Sequence, residues 1–580
     1  MDQDLQHAFV AGYERLAPWA ELLDRINVFP VADSDTGSNM RISLAPLRQF
    51  DCDSARVMEQ LLASATGNSG NIAARFFTGL LAAESSSYLL HAAKAGRDFA
   101  WQAIGDPKPG TMLTVFDEFA KGIESWSIDD KIKSVTAIIA RLKKAVFATT
   151  ELLPELKMAG VVDAGALGMF IYLEGFLTCL AGQRQSFIPI TEAFKGRLLV
   201  SPSYRPESVN SFCVDTLLRV AGQQDDVVKH LSTYGQSVVA VADRSCLKIH
   251  LHTDNPKALR QQLQSLGDIV QWSDDDIGKQ VVKYSPQRPF EQPIHIMTDA
   301  AGSVSRETAR SLGITLLDSY IIAGEKSLPE TLVNPSELYS LMRKGARVST
   351  AQGSDFERSQ CYQSVLEQYG RVLYLCVGSV FTGNYGAVMA WKNKNDPNDR
   401  LTVIDSGAAS GRLGAVAIAT ARYSNTSGDA DSVIHFAREA VNACEEYVFP
   451  DRLEYLAAGG RLSRAGGFFG DLLHMKPVIS PTAQGAIRAG VVRDSVGQIE
   501  FAMKQMKRCI DDGSHPFIML EYSDNDKWVR DTVEGKIRMR YPLANIMLQP
   551  LSLTSGVHMG PGTWAVAILP EQGFQCAHIV

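Results

Sequence analysis

Residues 26–40 read INVFPVADSDTGSNM, and in them Asp33 and Asp35 stand two residues apart on a short turn, Asp33-Ser34-Asp35-Thr36-Gly37, just ahead of an expected helix. Two carboxylates so placed suit a hard cation, since Mg²⁺ takes one or two carboxylates together with phosphate oxygens and water. Asn27 adds a third candidate oxygen. The same residues also fit a plain Asx-turn and helix cap. What distinguishes the turn is its company. Gly67-Asn68-Ser69-Gly70 opens the next helical stretch, and Gly110-Thr111 and Asp163-Ala164-Gly165 recur in similar places. Glycine lets a backbone approach phosphate closely, and a helix N-terminus holds out unpaired N–H groups to an anion. Each loop alone is explained by capping. Together they offer metal ligands and an anion-binding backbone, with neither a Walker lysine nor a Rossmann glycine fingerprint.

Around these loops the first two hundred residues read as helices. Apolar residues recur at three- and four-residue spacing over Leu5–Leu23, Val57–Leu62, Ile72–Leu81 and Ile132–Phe147. Gly165–Gly182 is almost wholly apolar, but Glu174 sits at its centre and no basic flank borders it, so a buried core helix is expected rather than a membrane span. From about Pro202 the period changes. SVVAVAD (237–243) and CLKIHLHT (246–253) alternate as strands, Pro256 opens a helix from Asn255 to Leu266, and the prolines of Ser285–Pro293 mark a linker. Beyond it, IHIMTDA, VLYLCVGS, LTVIDSG and FIMLEYS are short apolar runs each followed by a turn or helix, which predicts an α/β domain with a mostly parallel sheet.

At 580 residues the chain is long enough for about three or four domains. A composition 45% hydrophobic and 21% charged excludes a disordered or low-complexity chain, and a net charge of −7 argues against a nucleic-acid partner. Nine cysteines without a CxxC pair make no disulfide framework; with the acidic start MDQDL, which lacks signal-peptide character, they predict a reducing, cytoplasmic setting.

His250 and His252, at i and i+2 of a strand, share one face. By spacing they are either half of a tetrahedral zinc site, completed by the Cys213 thiolate, or polar surface. No acid/base machinery accompanies them in sequence, so a structural role is expected. In the last half, Thr350, Ser379 and Thr382 are expected in glycine-bearing loops after apolar strands, the edge where open α/β sheets bind ligands; Arg461 follows Gly459-Gly460, and His558 precedes Gly560-Pro561-Gly562. Such groups converging on one point suit a carboxylate or phosphate, and separately they are ordinary turn residues.

INVFPVADSDTGSNM, followed in order by ATGNSG, PGTMLTV and VVDAGALG, resembles the nucleotide-binding domain of bacterial fatty acid kinases, related to the ATP-binding subunit of dihydroxyacetone kinases. The resemblance spans residues 1–196. It implies a DhaL-like eight-helix barrel binding ATP through Mg²⁺ on Asp33 and Asp35, with Asn27, Thr36, Asn68, Ser69, Gly70, Thr111, Asp163 and Gly165 around the nucleotide. Ser34 stands where that family usually has Gly, Thr66 where Arg is common, and Ala166 where a second Gly is usual. Residues 197–285 resemble the kinase's small α+β middle domain, which implies zinc on Cys213, His250 and His252. Residues 293–580, with TDA, STAQ, FTG, LEYL…GGR and HMGPG in order, resemble the DegV fatty-acid-binding family. That implies two α/β lobes, a lipid in a buried tunnel, and a carboxylate held by Thr350 and Thr382 with Ser379, Arg461 and His558 nearby. Here Thr382, Asn384 and Gly353 stand in place of the usual Ser, Thr and Pro.

The expected function is ATP-dependent phosphorylation of a fatty acid held in the chain's own DegV domain, with Asp33, Asp35 and Arg461 as catalytic residues. The product would pass to acyl-phosphate acceptor enzymes of phospholipid synthesis. A homodimer is expected. The alternatives are a non-catalytic fatty-acid-binding protein with a degenerate kinase domain and, ranked lower, a dihydroxyacetone kinase.

Overall fold

The computed structural model describes residues 1–571 apart from 51–52, 128–129, 184–186, 207–210, 221–226, 228–230, 232, 244–245, 279–291, 453 and 459–474. The chain divides into two compact units, Met1–Arg288 and Pro289–Val580. Most of the expected linker lies outside the described residues.

The first unit is all-helical as far as residue 193. Its main helices are α1 (Gln3–Leu16), α2 (Ala20–Arg25), α3 (Thr36–Leu44), α4 (Ser54–Ser64), α5 (Gly67–Leu80), α6 (Leu89–Gln102), α7 (Met112–Ile123), α8 (Lys131–Leu152), α9 (Pro154–Ala159) and α10 (Ala164–Leu180). The single helix expected over Leu5–Leu23 is broken by a 3₁₀ turn at Ala17–Trp19, where Pro18 can donate no backbone hydrogen bond. α10 is the apolar segment that invited a membrane reading. Every residue in it but Cys179 is buried, and no helix among the described residues is long and apolar enough to cross a membrane. α1 lies tightly along α10 because both are glycine at the crossing. A Cβ on Gly175 would stand 2.8 Å from the Ala11 carbonyl, and one on Gly12 2.6 Å from the Tyr172 ring. Glu174 is tolerated in this apolar helix because Arg15 of α1 meets it. Arg15 Nε and Nη2 donate to Glu174 Oε2 at 3.2 and 3.0 Å, the Ile188 N–H donates to Oε1 at 2.8 Å, and both side chains are fully buried.

Four strands follow: β1 (Phe212–Val220), β2 (Gln236–Asp243), β3 (Cys246–Thr253) and β4 (Gly267–Asp276). They form an antiparallel sheet in the order β2-β3-β1-β4, with the helix Pro256–Leu266 packed on it. This sheet is joined to the helices by hydrogen bonds. The Ala240 N–H donates to the Ala103 carbonyl at 2.9 Å, and the Gly105 N–H donates to the Val238 carbonyl at 3.0 Å.

Among its described residues the second unit holds three sheets. β5 (His295–Asp299), β6 (Ile314–Leu317), β10 (Val372–Cys376) and β11 (Leu401–Asp405) form a fully parallel sheet in the order β11-β10-β5-β6. β7 (Ser319–Ala323), β8 (Lys326–Pro329) and β9 (Val348–Gln352) form a small antiparallel sheet. The third sheet contains β12 (Glu445–Phe449), β13 (Lys476–Thr482), β14 (Gly485–Val492), β15 (Phe517–Tyr522), β16 (Asn545–Pro550) and β17 (Trp564–Leu569). Its order is β14-β13-β12-β17-β15-β16, and only β15 and β16 are parallel. The expectation of a mostly parallel sheet therefore holds for the first sheet and fails for the third. FIMLEYS is apolar because both faces of β15 are covered, and full coverage removes the alternation that marks a one-sided antiparallel strand.

Glu446 on β12 and Glu521 on β15 flank β17 and are both fully buried. Glu446 accepts from Ser410 Oγ at 2.7 Å and from the Gly411 and Arg412 N–H groups at 3.2 and 2.8 Å, at the start of the helix Ser410–Thr426. Those donors favour Glu446 as the ionised member. Burial, and then the neighbouring Glu446, push Glu521 well above the carboxylate range. A carboxyl raised in the folded state keeps a proton that the unfolded chain loses, so its stabilising share shrinks as pH rises through and beyond the ordinary glutamate value. Glu521→Gln is expected to flatten that slope, by at most about 1.4 kcal/mol per pH unit for one proton. Urea unfolding at pH 5 and pH 8 measures it: the variant's advantage over the natural protein should widen at the higher pH.

Candidate functional sites

At the acidic turn, capping is done by a residue outside it. The buried Asp24 of α2 accepts from the Gly37 and Ser38 N–H groups at 2.7 and 3.0 Å and from Ser38 Oγ at 2.5 Å. Asp35 occupies the cap position of α3 but makes no side-chain capping bond. The Asx-cap alternative thus leaves both Asp33 and Asp35 unexplained. Asn27 Nδ2 donates to Asp33 Oδ1 at 2.5 Å, while Asn27 Oδ1 is buried without a partner. Burial raises both carboxyls, Asp33 well above its usual range with Asp35 adding to the effect. A half-buried acid pair beside an unpartnered amide oxygen is a donor set that a divalent cation would neutralise. Ser34 between them has φ +58°, which explains why glycine is usual at this position in the resembling family.

The glycines bring four helix N-termini to this end. Gly67 and Gly70 of α5 lie so close to Asn39 and Ser43 of α3 that a Cβ on either would collide, which fixes the two helices in parallel. Gly168, one turn into α10, would put a Cβ 2.8 Å from Met40 Sδ, one turn into α3; Gly165 packs on Met112, the first residue of α7. α3, α5, α7 and α10 therefore start together. Unpaired N–H groups and helix dipoles at such ends attract phosphate. Two residues expected around the nucleotide also cap these helices. Asp163 Oδ1 accepts from the Ala166 N–H at 2.7 Å, with burial raising this carboxyl to about 7, and Thr111 Oγ1 accepts from the Leu113 N–H at 3.4 Å. Thr36 and Ser69 are buried in the first turns of α3 and α5, and Asn68 is half-buried beside Ser69. Gly70 is a packing residue inside α5.

The middle sheet meets the same end. Cys213, His250 and His252 share one face through the β1–β3 register, and one ligand atom from each lies within 4.8 Å of the others. Cys213 Sγ is 3.8 Å from His250 Nδ1. A tetrahedral zinc site needs about 3.5 Å between ligand atoms, so a small closure suffices, and one S and two N donors fit that metal. His250 Nε2 is buried without a partner. Burial, then His250, lowers His252 to about 3, so its ring is neutral as a ligand requires. The expectation that no acid/base groups lie nearby is corrected: burial and then Asp215 raise the Cys213 thiol, with Asp35 and Asp33 adding to the effect, and Asp215 Oδ1 is 3.2 Å from His250 Nδ1. Asp215 Oδ2 also accepts from Thr66 Oγ1 at 3.5 Å and the Gly67 N–H at 3.4 Å. Lys248 donates to the Leu62, Ala63 and Ala65 carbonyls at the end of α4. Chain separations of 148 residues or more between these helix and strand partners hid the contacts from sequence reading.

In the second unit a cavity of about 300 Å³ lies at the C-terminal ends of the parallel strands β5 and β10. Thr350 and Thr382 both line it, but Thr350 sits within β9 rather than in a loop following a strand. Ser379 does not line it; its N–H donates to Asp405 at 3.0 Å and its side chain is exposed. His558 is half-buried in the helix Leu553–Met559 and is not among the lining residues, and Arg461 lies outside the described residues. Asp299, fully buried at the cavity, accepts from Tyr374 Oη, Asn384 Nδ2 and the Val377 N–H at 2.9, 2.6 and 2.6 Å, yet burial still holds it up at about 6. Ser319 and Thr554, also at the cavity, both donate to the buried Glu330 at 2.5 Å.

Sequence profiles of known families match the chain in three places: the DAK2 domain at residues 30–178, the FakA-like middle domain of fatty acid kinases at 209–283, and the uncharacterised DegV family at 293–571. One chain carries all three domains. The DAK2 domain supplies the acidic turn and helix ends, the FakA-like middle domain the Cys213 cluster, and the DegV domain the cavity. Protein YloV of Bacillus subtilis is 28% identical over 362 residues, covering 56% of this chain and 65% of its own length. An uncharacterised protein of Staphylococcus aureus USA300 is 26% identical over 366 residues, covering 56% and 64%. The matches thus span just under two thirds of these relatives. Among solved structures, a DegV family protein of Thermus thermophilus described for fatty acid binding shares 22% identity over 48% of this chain and 99% of its own, with a TM-score of 0.45. DegV of Bacillus subtilis, described as a fatty acid binding protein, shares 19% identity over 48% and 99%, with a TM-score of 0.44.

Proposed function

We propose that this chain is a fatty acid kinase that transfers the γ-phosphoryl group of ATP to a fatty acid carried by its own DegV domain, releasing ADP and an acyl phosphate. The observation that carries the reading is the acidic pair, unused as a cap, at the shared start of four helices, in a chain that also carries a FakA-like middle domain and a DegV domain. Asp33, Asp35 and Asn27 would hold Mg²⁺, which would supply charge neutralisation on the triphosphate. The first turns of α5, α7 and α10 hold phosphate oxygens through the N–H groups that their caps leave open, whereas Asp24 already takes those of Gly37 and Ser38 in α3. A carboxylate oxygen of the fatty acid forms the new bond to phosphorus as the bond to ADP breaks. Because that carboxylate is already ionised at neutral pH, no residue has to remove a proton, and the protein's task is positioning and charge stabilisation. Covalent linkage to the carrier raises its concentration at the kinase, to roughly millimolar for a short flexible connection.

Hydroxylamine trapping tests this. Acyl hydroxamate is expected only with ATP, Mg²⁺ and fatty acid together. No product from any acyl chain, with lipid bound, would favour a non-catalytic carrier, a reading that the Thr66 and Ala166 departures keep in view. Triose phosphorylation would favour a dihydroxyacetone kinase. Cys213, His250 and His252 are proposed to bind zinc. Metal analysis should find about one zinc per chain, lost in Cys213→Ser/His252→Ala, and unchanged content would remove these ligands.

A further inference from the structure

The cavity of the DegV domain is acidic by its own residues. Asp299 and Asp318 line it, and Arg358 is the one basic side chain among the described residues that do. A carboxylate entering this space meets two acids unless a cation offsets them. Arg358 projects from the helix Asp355–Tyr369, which follows β9, and its position is set by neutral partners. Nη1 donates to Gln352 Oε1 at 2.6 Å and to Asn384 Oδ1 at 3.3 Å. The Asn384 amide is itself oriented by its Nδ2 bond to Asp299 at 2.6 Å. Among the described residues the acid bonded to the guanidinium is Asp355, at 2.5 Å from Nη2 and 94% exposed, whereas the Arg358 side chain is only 13% exposed. An exposed carboxylate in water offsets little of such a charge. Arg358 Nε is buried with no acceptor. The guanidinium is thus held in a ligand-sized space beside the Thr350 and Thr382 hydroxyls, with its Nε donor unused.

We infer that Arg358 is the head-group selector of the DegV cavity, the residue that makes it prefer a long-chain acid, in carboxylate form, to an uncharged lipid of the same length. The inference rests on the proposed function, since it takes the cavity as the fatty acid site, and it adds a residue that nothing in the sequence motifs marks. Asn384 acts with it as a positioning residue, its amide spanning Asp299 and Arg358. Arg461 remains the cation expected from the motif, and the test sets the two against each other.

The experiment is calorimetric binding of dodecanoic to octadecanoic acids, and of the matching primary alcohols, to the full chain and to Arg358→Met, Arg358→Lys and Arg461→Met. Arg358→Met is expected to lose about tenfold or more in affinity for the acids while its affinity for the alcohols stays within twofold, as loss of a charge-assisted hydrogen bond predicts. Arg358→Lys should recover part of the difference, because the charge remains and the planar fork does not. Unchanged preference for acids in Arg358→Met, whether or not Arg461→Met loses it, overturns the inference and leaves the proposed function intact. Equal loss of acids and alcohols also overturns it, by showing that Arg358 only supports the loop. A natural protein that binds neither lipid class overturns the fatty acid reading itself.

Discussion

Replacing Asp33 and Asp35 together by Asn should abolish acyl hydroxamate formation, by three orders of magnitude or more, while leaving fatty acid binding unchanged. Loss of a single group that stabilises transition-state charge typically costs 10²–10³ in rate, and this pair would remove both carboxylates of the metal site. The same change should make the first unit more stable. Burial holds both carboxyls above their ordinary range, with Asp35 adding to the rise at Asp33 and Asp24 to the rise at Asp35. Such a group costs stability as pH rises above its unfolded value, because the unfolded chain gives up the proton more readily. At neutral pH the Asn pair is therefore expected to unfold at higher urea than the natural protein measured without Mg²⁺, and the gap should narrow towards pH 4. A variant that is dead and less stable would instead mean that the carboxylates are structural. Kinetics with hydroxylamine and urea titrations at two pH values separate these outcomes. Groups that lower stability where they stand are a mark of sites kept for activity.

Glu174→Ala should destabilise the first unit by about 3–5 kcal/mol, because it leaves the Arg15 guanidinium fully buried without its carboxylate. That is a large part of the 5–15 kcal/mol typical of whole domains. Burial raises Glu174 more than Arg15 lowers it, so desolvation outweighs the pairing attraction. The pair is consequently a poor source of net stability. Arg15→Met/Glu174→Leu is expected to recover most of the loss, and a double-mutant cycle by denaturant unfolding measures it. Failure of the double variant to recover would mean that the bonds to the Ile188 backbone, which hold the chain after α10, matter more than the ion pair.

Local pattern carried the sequence reading furthest where one element decides the outcome. α4, α5 and α8 follow their apolar spacing, and the strand face of His250 and His252 follows from period two. The acidic turn was visible as chemistry, but its cap was not, because Asp24 reaches it from another helix. Thr111 and Asp163 show the reverse: both make the capping bonds that the sequence offers for each loop taken alone. The antiparallel third sheet was missed because a strand buried on both faces gives the same apolar run whatever the direction of its neighbours. Arg358 had no motif at all. Its place depends on the turn from β9 into the next helix and on Asn384, a residue 26 positions away.

The bonds between residues 103–105 and β2 have a practical bearing on how this polypeptide is handled. Ala103, Ile104, Val239 and Val241 close over Leu62 and Ile72 in one small apolar cluster shared by helices and sheet. Cutting the gene near residue 200 to express the amino-terminal helices alone would bare that seam and leave the Ala103 carbonyl and Gly105 amide without their strand. A piece trimmed there would be prone to clump, whereas one ending beyond β4 keeps the seam sealed.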